Sequence, residues 1–274
     1  MKIASSLEAV DSVAGTSLSN RSVERACRLL SVFNLDEPWL SLAEMARRAE
    51  LPKATAHRLA VALRTCGLLS QAADGRYGLG VKLLELGAVV RENLDVLQLC
   101  RSAIDAVSAA SGETVVLGTV EWSTRELLLV ARRDSPHPLA VGSPVGRRQP
   151  IPPGGALGKA VLSGLPADEL ESVLAELTLV AMTPKTPIER RLLLRHVALA
   201  RQMGYASEQD EYIDGVSGVA VPVVFEGGRP LAGLGVVGPT SRMADKIPTL
   251  GALLLEHTAG LRPRPLVQRL RQHA

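Results

Sequence analysis

The chain has 274 residues, a formal net charge of +3, and 46% hydrophobic and 22% charged residues, which gives room for two domains and excludes a wholly disordered chain. Aromatic residues make up only 3%, too few for a protein that stacks successive unpaired bases on aromatic platforms. No run approaches 18 consecutive apolar residues, and residues 1–20 lack the apolar stretch of a signal peptide, so no membrane span or export is expected and the chain is placed in the cytoplasm.

Residues 1–20 are polar and without a period, which reads as a disordered arm. Residues 21–80 read as three helices and a hairpin. Val23, Ala26, Cys27, Leu30 and Phe33 recur at helical spacing, and Pro38 ends that pattern. Ser41 and Glu44 have the spacing of a capping box, opening a short helix with Leu42, Met45, Ala46 and Ala49 on one face. A third helix runs from Lys53 to Cys66, with Ala56, Leu59, Ala60 and Leu63 as its buried stripe and Gly67 as its stop. Runs over 68–72 and 76–79 flank Asp74-Gly75, a dipeptide that favours a two-residue type I′ turn.

Helical periodicity then continues from Val81 to Ser111. Gly87 and a cap at Asp95 are expected to divide it into a linker helix, residues 81–95, and the first helix of a second domain. Strands are expected at 114–120, 126–132 and 139–141, and helices at 156–163, 167–177 and 187–203. A hairpin of 219–225 and 231–237 follows over residues 226–229, then a helix over 247–260. This alternation predicts an α/β domain over 96–262 with a mixed sheet. Residues 263–274 form a basic tail read as solvated. The three cysteines, Cys27, Cys66 and Cys100, have no CxxC spacing; they read as buried thiols, not as disulfides or zinc ligands.

Two short helices, a tight turn and a hairpin form the arrangement that lays one helix in a major groove and a wing beside it. The charge distribution agrees. Between Ser41 and Lys82 there are seven basic residues and three acids, a larger excess than that of the whole chain. Lys53, Thr55, His57 and Arg58 lie off the apolar stripe of the third helix. Lys53 and Thr55 suit phosphates or base edges, and Arg58 has the planar fork that matches the two acceptors of guanine. His57 is read as a phosphate contact or a solvated surface residue. Ser41 at the start of the second helix and Arg76 past the wing turn complete the expected DNA contacts.

These residues resemble the isocitrate-lyase-regulator (IclR) family of bacterial transcription factors. The resemblance is carried by Ser22-Val-Glu-Arg-Ala26, Leu42-Ala-Glu-Met-Ala46, Leu51-Pro-Lys-Ala-Thr-Ala-His-Arg-Leu59 and Asp74-Gly-Arg-Tyr-Gly-Leu-Gly80. It continues in Lys82-Leu-Leu-Glu-Leu-Gly87, Ser135-Pro-His-Pro-Leu139, Val145-Gly-Arg-Arg148, Leu157-Gly-Lys-Ala160, Met203-Gly-Tyr205, 215–223 and Gly238-Pro239, so it spans about residues 21–260. The resemblance implies an α/β chain of two domains: a winged helix-turn-helix, then a linker helix and a GAF-like effector-binding domain. It implies homodimers or homotetramers that bind near-palindromic double-stranded DNA and answer to a small-molecule effector, with no enzymatic activity, cofactor or metal.

The departures from the family pattern are specific. Glu50 stands where the helix turn usually has glycine, and Pro153-Gly154-Gly155 stands where the family usually has a polar loop. Gly218 replaces a usual cysteine, and Gly235 and Val237 replace usual hydroxyls, while Glu208 matches the usual acid. The resemblance therefore places an effector site at Gly154, Gly155, Ala156, Leu157, Glu208, Gly218, Gly235 and Val237, with few donors to offset the desolvation of a small acid. Two readings follow: a larger pocket for a bulkier, more apolar or aromatic ligand, or a degenerate domain that responds to nothing.

Other chemistry finds less support. Gly154 to Lys159 fails the phosphate-loop pattern and reads as a plain loop-to-helix turn or as backbone amides that hold an effector's anionic group at the helix start, and Ser143 and Ser217 complete no GxSxG. No histidine has zinc-ligand spacing. Asp210, Glu211 and Asp214 read as a solvated acidic loop, and Arg125, Arg132, Arg133, Arg147 and Arg148 as exposed strand ends. An enzyme with a docking module and an architectural, ligand-independent DNA binder remain the competing functions.

Overall fold

The computed structural model describes residues 20–224 and 228–261. The arm at 1–19, the tip of the expected 226–229 turn and the tail from residue 262 lie outside the described residues. The chain divides between Asn93 and Leu94 into two units.

The N-terminal unit starts with α1 (Arg21–Leu30), whose first amides are accepted by the Asn20 side chain at Ser22 and Val23. Leu29 is its buried residue, while Val23 and Cys27 are exposed, so the apolar stripe is rotated from the expected one. The capping box of α2 (Leu42–Arg48) forms as expected: Glu44 N–H donates to Ser41 Oγ at 3.3 Å, and Ser41 N–H donates to Glu44 Oε2 at 2.9 Å. The helix ends in a left-handed residue, and that residue is Glu50, with φ of 54°. Leu51 N–H reaches back to the Ala46 carbonyl and Glu50 N–H to that of Arg47, which is the Schellman closure. A glycine position is thus filled by glutamate, at a cost of about 1–2 kcal/mol in backbone strain.

Helix α3 (Lys53–Thr65) buries Ala56, Ala60 and Leu63 against Met45, Ala46 and Leu29. The wing is β1 (Leu69–Gln71) antiparallel to β2 (Tyr77–Leu79). Its turn is not the expected two-residue type I′. Gly75 N–H donates to the Ala72 carbonyl, and of the turn residues only Gly75 has positive φ, at 84°. The loop is therefore the three-residue form, a type I turn closed by a left-handed glycine, because Asp74 stays in the ordinary right-handed region. Helix α4 (Lys82–Glu92) contains Gly87 and breaks only at Asn93–Leu94; the N-cap of the next helix is Leu94, not Asp95.

The C-terminal unit opens with α5 (Asp95–Ser111). Its six-stranded sheet runs β5-β4-β3-β8-β7-β6, formed by β3 (Thr114–Glu121), β4 (Glu126–Arg133), β5 (Arg148–Pro150), β6 (Ala206–Gln209), β7 (Val216–Val223) and β8 (Ala232–Pro239). Every pairing is antiparallel, which corrects the expected mixed sheet: β3–β4 and β7–β8 are neighbours in sequence, and no crossover returns a strand parallel. The expected strand at 139–141 is absent, and the edge is Arg148–Pro150 instead; β6 was not expected.

One face of the sheet carries α5 and α10 (Ile247–Thr258), with Cys100, Ile104 and Leu254 packed on Val115, Leu117, Val219 and Leu234. The other face carries α6 (Ala156–Ser163), α7 (Ala167–Glu176) and α8 (Arg190–Met203), which starts three residues later than expected. A short α9 (Thr240–Met243) follows β8. Of the three cysteines, Cys100 alone is buried, and burial pushes its thiol up to about 12. Cys27 and Cys66 are exposed, which corrects the expectation of three buried thiols.

Candidate DNA-reading face and ligand cavity

The first candidate site lies on α3. Its buried stripe leaves Lys53, His57 and Arg58 exposed and Thr55 half-buried, so the side chains expected to meet DNA share the outward face. Among the described residues Arg47, Lys53 and Arg58 have no acidic or hydrogen-bonding side-chain partner. Other cations of the unit are engaged: Arg48 pairs with Glu37 at 2.7 Å, Lys82 with Glu85 at 2.6 Å, and Arg64 donates to Gln71 at 2.7 Å. Arg76 is also engaged. Its Nε meets Asp74 Oδ2 at 2.7 Å, and its amide donates to Asp74 Oδ1, so the wing tip neutralises itself. Ser41 is half-buried, with its hydroxyl accepting the Glu44 amide.

The second candidate site is a cavity of about 70 Å³ in the C-terminal unit, on the sheet face covered by α6. Of the residues expected there, Gly155, Ala156, Leu157, Glu208 and Val237 line it, while Gly154, Gly218 and Gly235 do not. The glycines do not enlarge the cavity as expected. A Cβ on Gly233 or Gly235 would lie 2.9 or 3.4 Å from Leu157 Cδ2, and one on Gly118 would lie 3.5 Å from Leu157 Cδ1. The space left by missing side chains on β3 and β8 is filled by Leu157. Gly218 sits against Ala156 and Val237, and Gly154 admits the Glu211 carbonyl to 2.4 Å of where its Cβ would stand. These glycines let helix and loop approach the sheet.

The walls are mainly apolar, from Val116, Leu127, Leu129, Leu157 and Val237. The polar groups are Ser143, Arg147, Gln149, Glu208 and Tyr212. Arg147 and Gln149 come from the β5 edge of the sheet, and Glu208 from β6 at the opposite edge. The two edges meet where the Tyr212 hydroxyl donates to Gln149 Oε1. Arg147 was expected at an exposed strand end; it lines the cavity because the turn at Gly146, φ 90°, brings it beside β4.

A charged chain runs behind this wall. Lys159 is 2% exposed, and its Nζ donates to both carboxylate oxygens of Glu211 at 3.0 and 2.9 Å. Burial holds the Lys159 ammonium below its usual range, opposed by attraction to Glu211 and Glu208. Glu208 Oε2 accepts the Glu211 amide at 3.1 Å. Burial pushes the Glu208 carboxyl up to about 7, against the lowering effect of that amide and of Lys159. His196 lies 3.7 Å from Glu211, and its pKa is lowered by burial and by Lys159. Asp210 accepts from Lys185 at 2.7 Å and from Thr240 at 2.6 Å, and Thr183 and Thr186 hold the Asp210 and Glu211 carbonyls. The 210–211 segment is therefore tied down rather than a solvated acidic loop. The signal for this lay in Lys159, a lysine inside an otherwise apolar helix, but its partner is 52 residues away.

Two family models match the chain: the IclR helix-turn-helix domain over residues 22–73, and the bacterial transcriptional regulator IclR C-terminal domain over 88–259. The regulator XynR of Escherichia coli is 32% identical over 226 residues, covering 82% of this chain and 88% of the relative. A solved regulator of Alicyclobacillus acidocaldarius superposes with a TM-score of 0.78 at 25% identity, covering 88% of this chain and 97% of that one. An IclR homologue of Microbacterium hydrocarbonoxydans, solved with 4-hydroxybenzoate, superposes with a TM-score of 0.74 at 26% identity and the same coverages. No helix among the described residues is long and apolar enough to cross a membrane.

Proposed function

The chain belongs to the IclR family of bacterial transcriptional regulators, which are not enzymes, and from that premise we propose that it is a cytoplasmic, dimeric, effector-modulated regulator that reads a near-palindromic operator. The observation that carries the reading is the exposed, unpartnered basic face of α3 opposite its buried stripe. Arg58 reads a base edge, most simply guanine, while Lys53, Thr55, His57 and Ser41 hold the backbone and position the helix, and Arg76 lies beside the DNA on the wing with its charge held by Asp74.

Dimerisation is supported by α4. None of its residues is buried within the chain, and Leu84, Val89 and Val90 are 77, 63 and 64% exposed. A second copy that covers this face presents two α3 helices to two half-sites. Residues 21–80 then form the reading domain, 81–95 the linker and 96–262 the effector domain, whose ligand contacts are the cavity residues Gly155, Ala156, Leu157, Glu208 and Val237 with Gly154, Gly218 and Gly235 packed behind them. The effector acts by binding one arrangement of the dimer more tightly than the other. The cavity, with an apolar wall and a few polar groups, has the make-up of a ligand site and supports an effector over a degenerate domain. The 4-hydroxybenzoate of the neighbour makes an aromatic hydroxy acid the first effector to try.

The test is selection of bound sequences from a random duplex library at two salt concentrations. One enriched, palindromic site is the expected result, and its release by an added effector the second. Binding that only fades with salt, with no enriched site, would leave a non-specific binder.

A further inference from the structure

We infer that the wing of the N-terminal unit is held at a fixed spacing from α3 by two side-chain clamps, one at its tip through Arg64 and Gln71 and one at its base through Trp39, and that these three are positioning residues for operator recognition. The inference rests on the DNA-reading role of α3 proposed above and adds residues that act through the wing rather than on a base.

Three observations carry it. First, the wing is too small to hold its own shape. Strands β1 and β2 have three residues each, and a short two-stranded ribbon is marginal in water. Leu69 and Tyr77 anchor its base in the core, but Gln71 and residues 73–76 are exposed, so no buried side chain fixes the tip. Second, a hydrogen-bonded relay ties that tip to α3. Arg64, in the last turn of α3, donates from Nη1 to Gln71 Oε1 at 2.7 Å, and Gln71 Nε2 donates to the Gly75 carbonyl at 3.1 Å. One amide thus joins the recognition helix to the left-handed glycine of the turn, using both its oxygen and its nitrogen. Third, the segment before α2 joins the wing. Leu40 and Tyr77 exchange both backbone hydrogen bonds, at 2.9 and 2.8 Å, and the neighbouring Trp39 lays its indole on Gly78. A Cβ at Gly78 would lie 2.8 Å from Trp39 Cζ3, so the ring sits where a side chain would otherwise stand. Trp39 is 42% exposed and Leu40 only 1%, so the indole belongs to the wing surface and not to the core.

Spacing matters because of what the tip carries. Ala72 and Ala73 have no polar side chain, and Arg76 is paired with Asp74 at 2.7 Å. Such a tip adds to recognition through the shape of the groove it enters. A shape contact discriminates only when the wing and α3 are presented together at one separation. A wing free to swing meets many sequences equally and loses affinity to ordering. The relay is solvent-exposed, so it contributes little to global stability, and its loss shows in the wing alone.

The experiment compares the full wild-type chain with Gln71→Leu, Trp39→Ala and Trp39→Phe, by amide hydrogen exchange and by selection from a random duplex library. Gln71→Leu cuts the relay without changing charge, so no phosphate contact is lost with it. The expected result is exchange about ten-fold or more faster for the amides of residues 69–79 in Gln71→Leu and Trp39→Ala, with those of α3 unchanged. The bases that Arg58→Ala relaxes stay selected, while preference at the positions flanking them falls about five-fold or more, and Trp39→Phe keeps most of it. The inference is overturned if wing exchange is unchanged in either variant, or if faster exchange leaves the flanking preference intact. It is also overturned if binding falls equally at every position, which would make these residues DNA contacts themselves, or if Trp39→Ala speeds exchange in α3 as well, which would make Trp39 a core residue. A wild type that enriches no site overturns the regulator reading and the inference together, whereas a wild-type site with unaltered flanks in the variants overturns the inference alone.

Discussion

The two units treat charge in opposite ways. Every buried polar or charged side chain among the described residues belongs to the C-terminal unit, Glu113, Lys159 and Glu208 among them, whereas the core of the N-terminal unit is Leu, Val, Met, Ala and one Tyr. In the N-terminal unit the cations stand outside. A surface that meets a polyanion gains from cations left in water, where they steer the approach and release counterions from phosphates. A cavity for a small molecule gains from charges withdrawn from water, where each contact is stronger and each unpaired group is costly. The same residue types therefore do different work on either side of Asn93.

The largest effect is expected at Lys159. Lys159→Met leaves Glu211 and Glu208 without their buried cation, and the C-terminal unit should lose about 3–5 kcal/mol in urea unfolding. Adding Glu211→Leu should restore most of that loss. A loss below about 1 kcal/mol would show that the pair does not hold the 208–213 segment.

On the outward-facing side, Arg58→Ala should weaken operator binding by about 1–3 kcal/mol and relax preference at one base pair, while Lys53→Ala should weaken all sequences alike. A uniform loss for Arg58→Ala across a sequence panel would move it from reading to positioning.

Glu208 makes the stability of the C-terminal unit depend on pH. Its ordinary value is 4.5, and burial pushes it up to about 7, so the folded chain holds this proton more tightly than the unfolded chain. Its contribution is complete below about pH 4.5 and is lost as pH rises to about 7. Relative to Glu208→Gln, the wild type should lose about 1–3 kcal/mol across that window. Parallel stability curves for the two proteins would mean that water reaches the carboxyl.

Smaller effects are expected at the turns. Glu50→Gly relieves the left-handed backbone but loosens the unfolded chain, for a net gain of about 0.5–1 kcal/mol. Thermal melting checks it, and a loss would mean that the glutamate side chain stabilises the turn. Asp74→Asn releases Arg76 from its ion pair and should steepen the salt dependence of DNA binding by about 0.9 in log–log slope. An unchanged slope would place the wing tip away from the phosphates.

Much of the N-terminal unit was legible because its determinants are local. Ser41 and Glu44 are three residues apart and the α3 stripe repeats within one helix, while the glycine-like role of position 50 is implied only by the resemblance. The wing turn was misread in detail because Asp-Gly is compatible with both two- and three-residue loops, and the choice depends on the strand register between Gln71 and Tyr77. In the C-terminal unit the helices at 156–163 and the 114–121 and 126–133 hairpin were equally readable. The cavity was not. Glu208 is reached by resemblance, but Arg147 reads as a strand end, Glu211 as a solvated acid and the glycines as open space, and nothing in the sequence singles out Gln149.

The sequence alone carries the elements of the N-terminal unit, the outward basic face of α3 and the motifs of the family, since these depend on spacing within a helix or a turn. Only the tertiary structure decided which groups share the cavity. Two edges of one sheet meet through Tyr212 and Gln149, Leu157 fills the hollow that three glycines leave, and Lys159 finds Glu211 across 52 residues. Those contacts depend on how the sheet and its covering helix close around one another, and no local period in the chain encodes that closure.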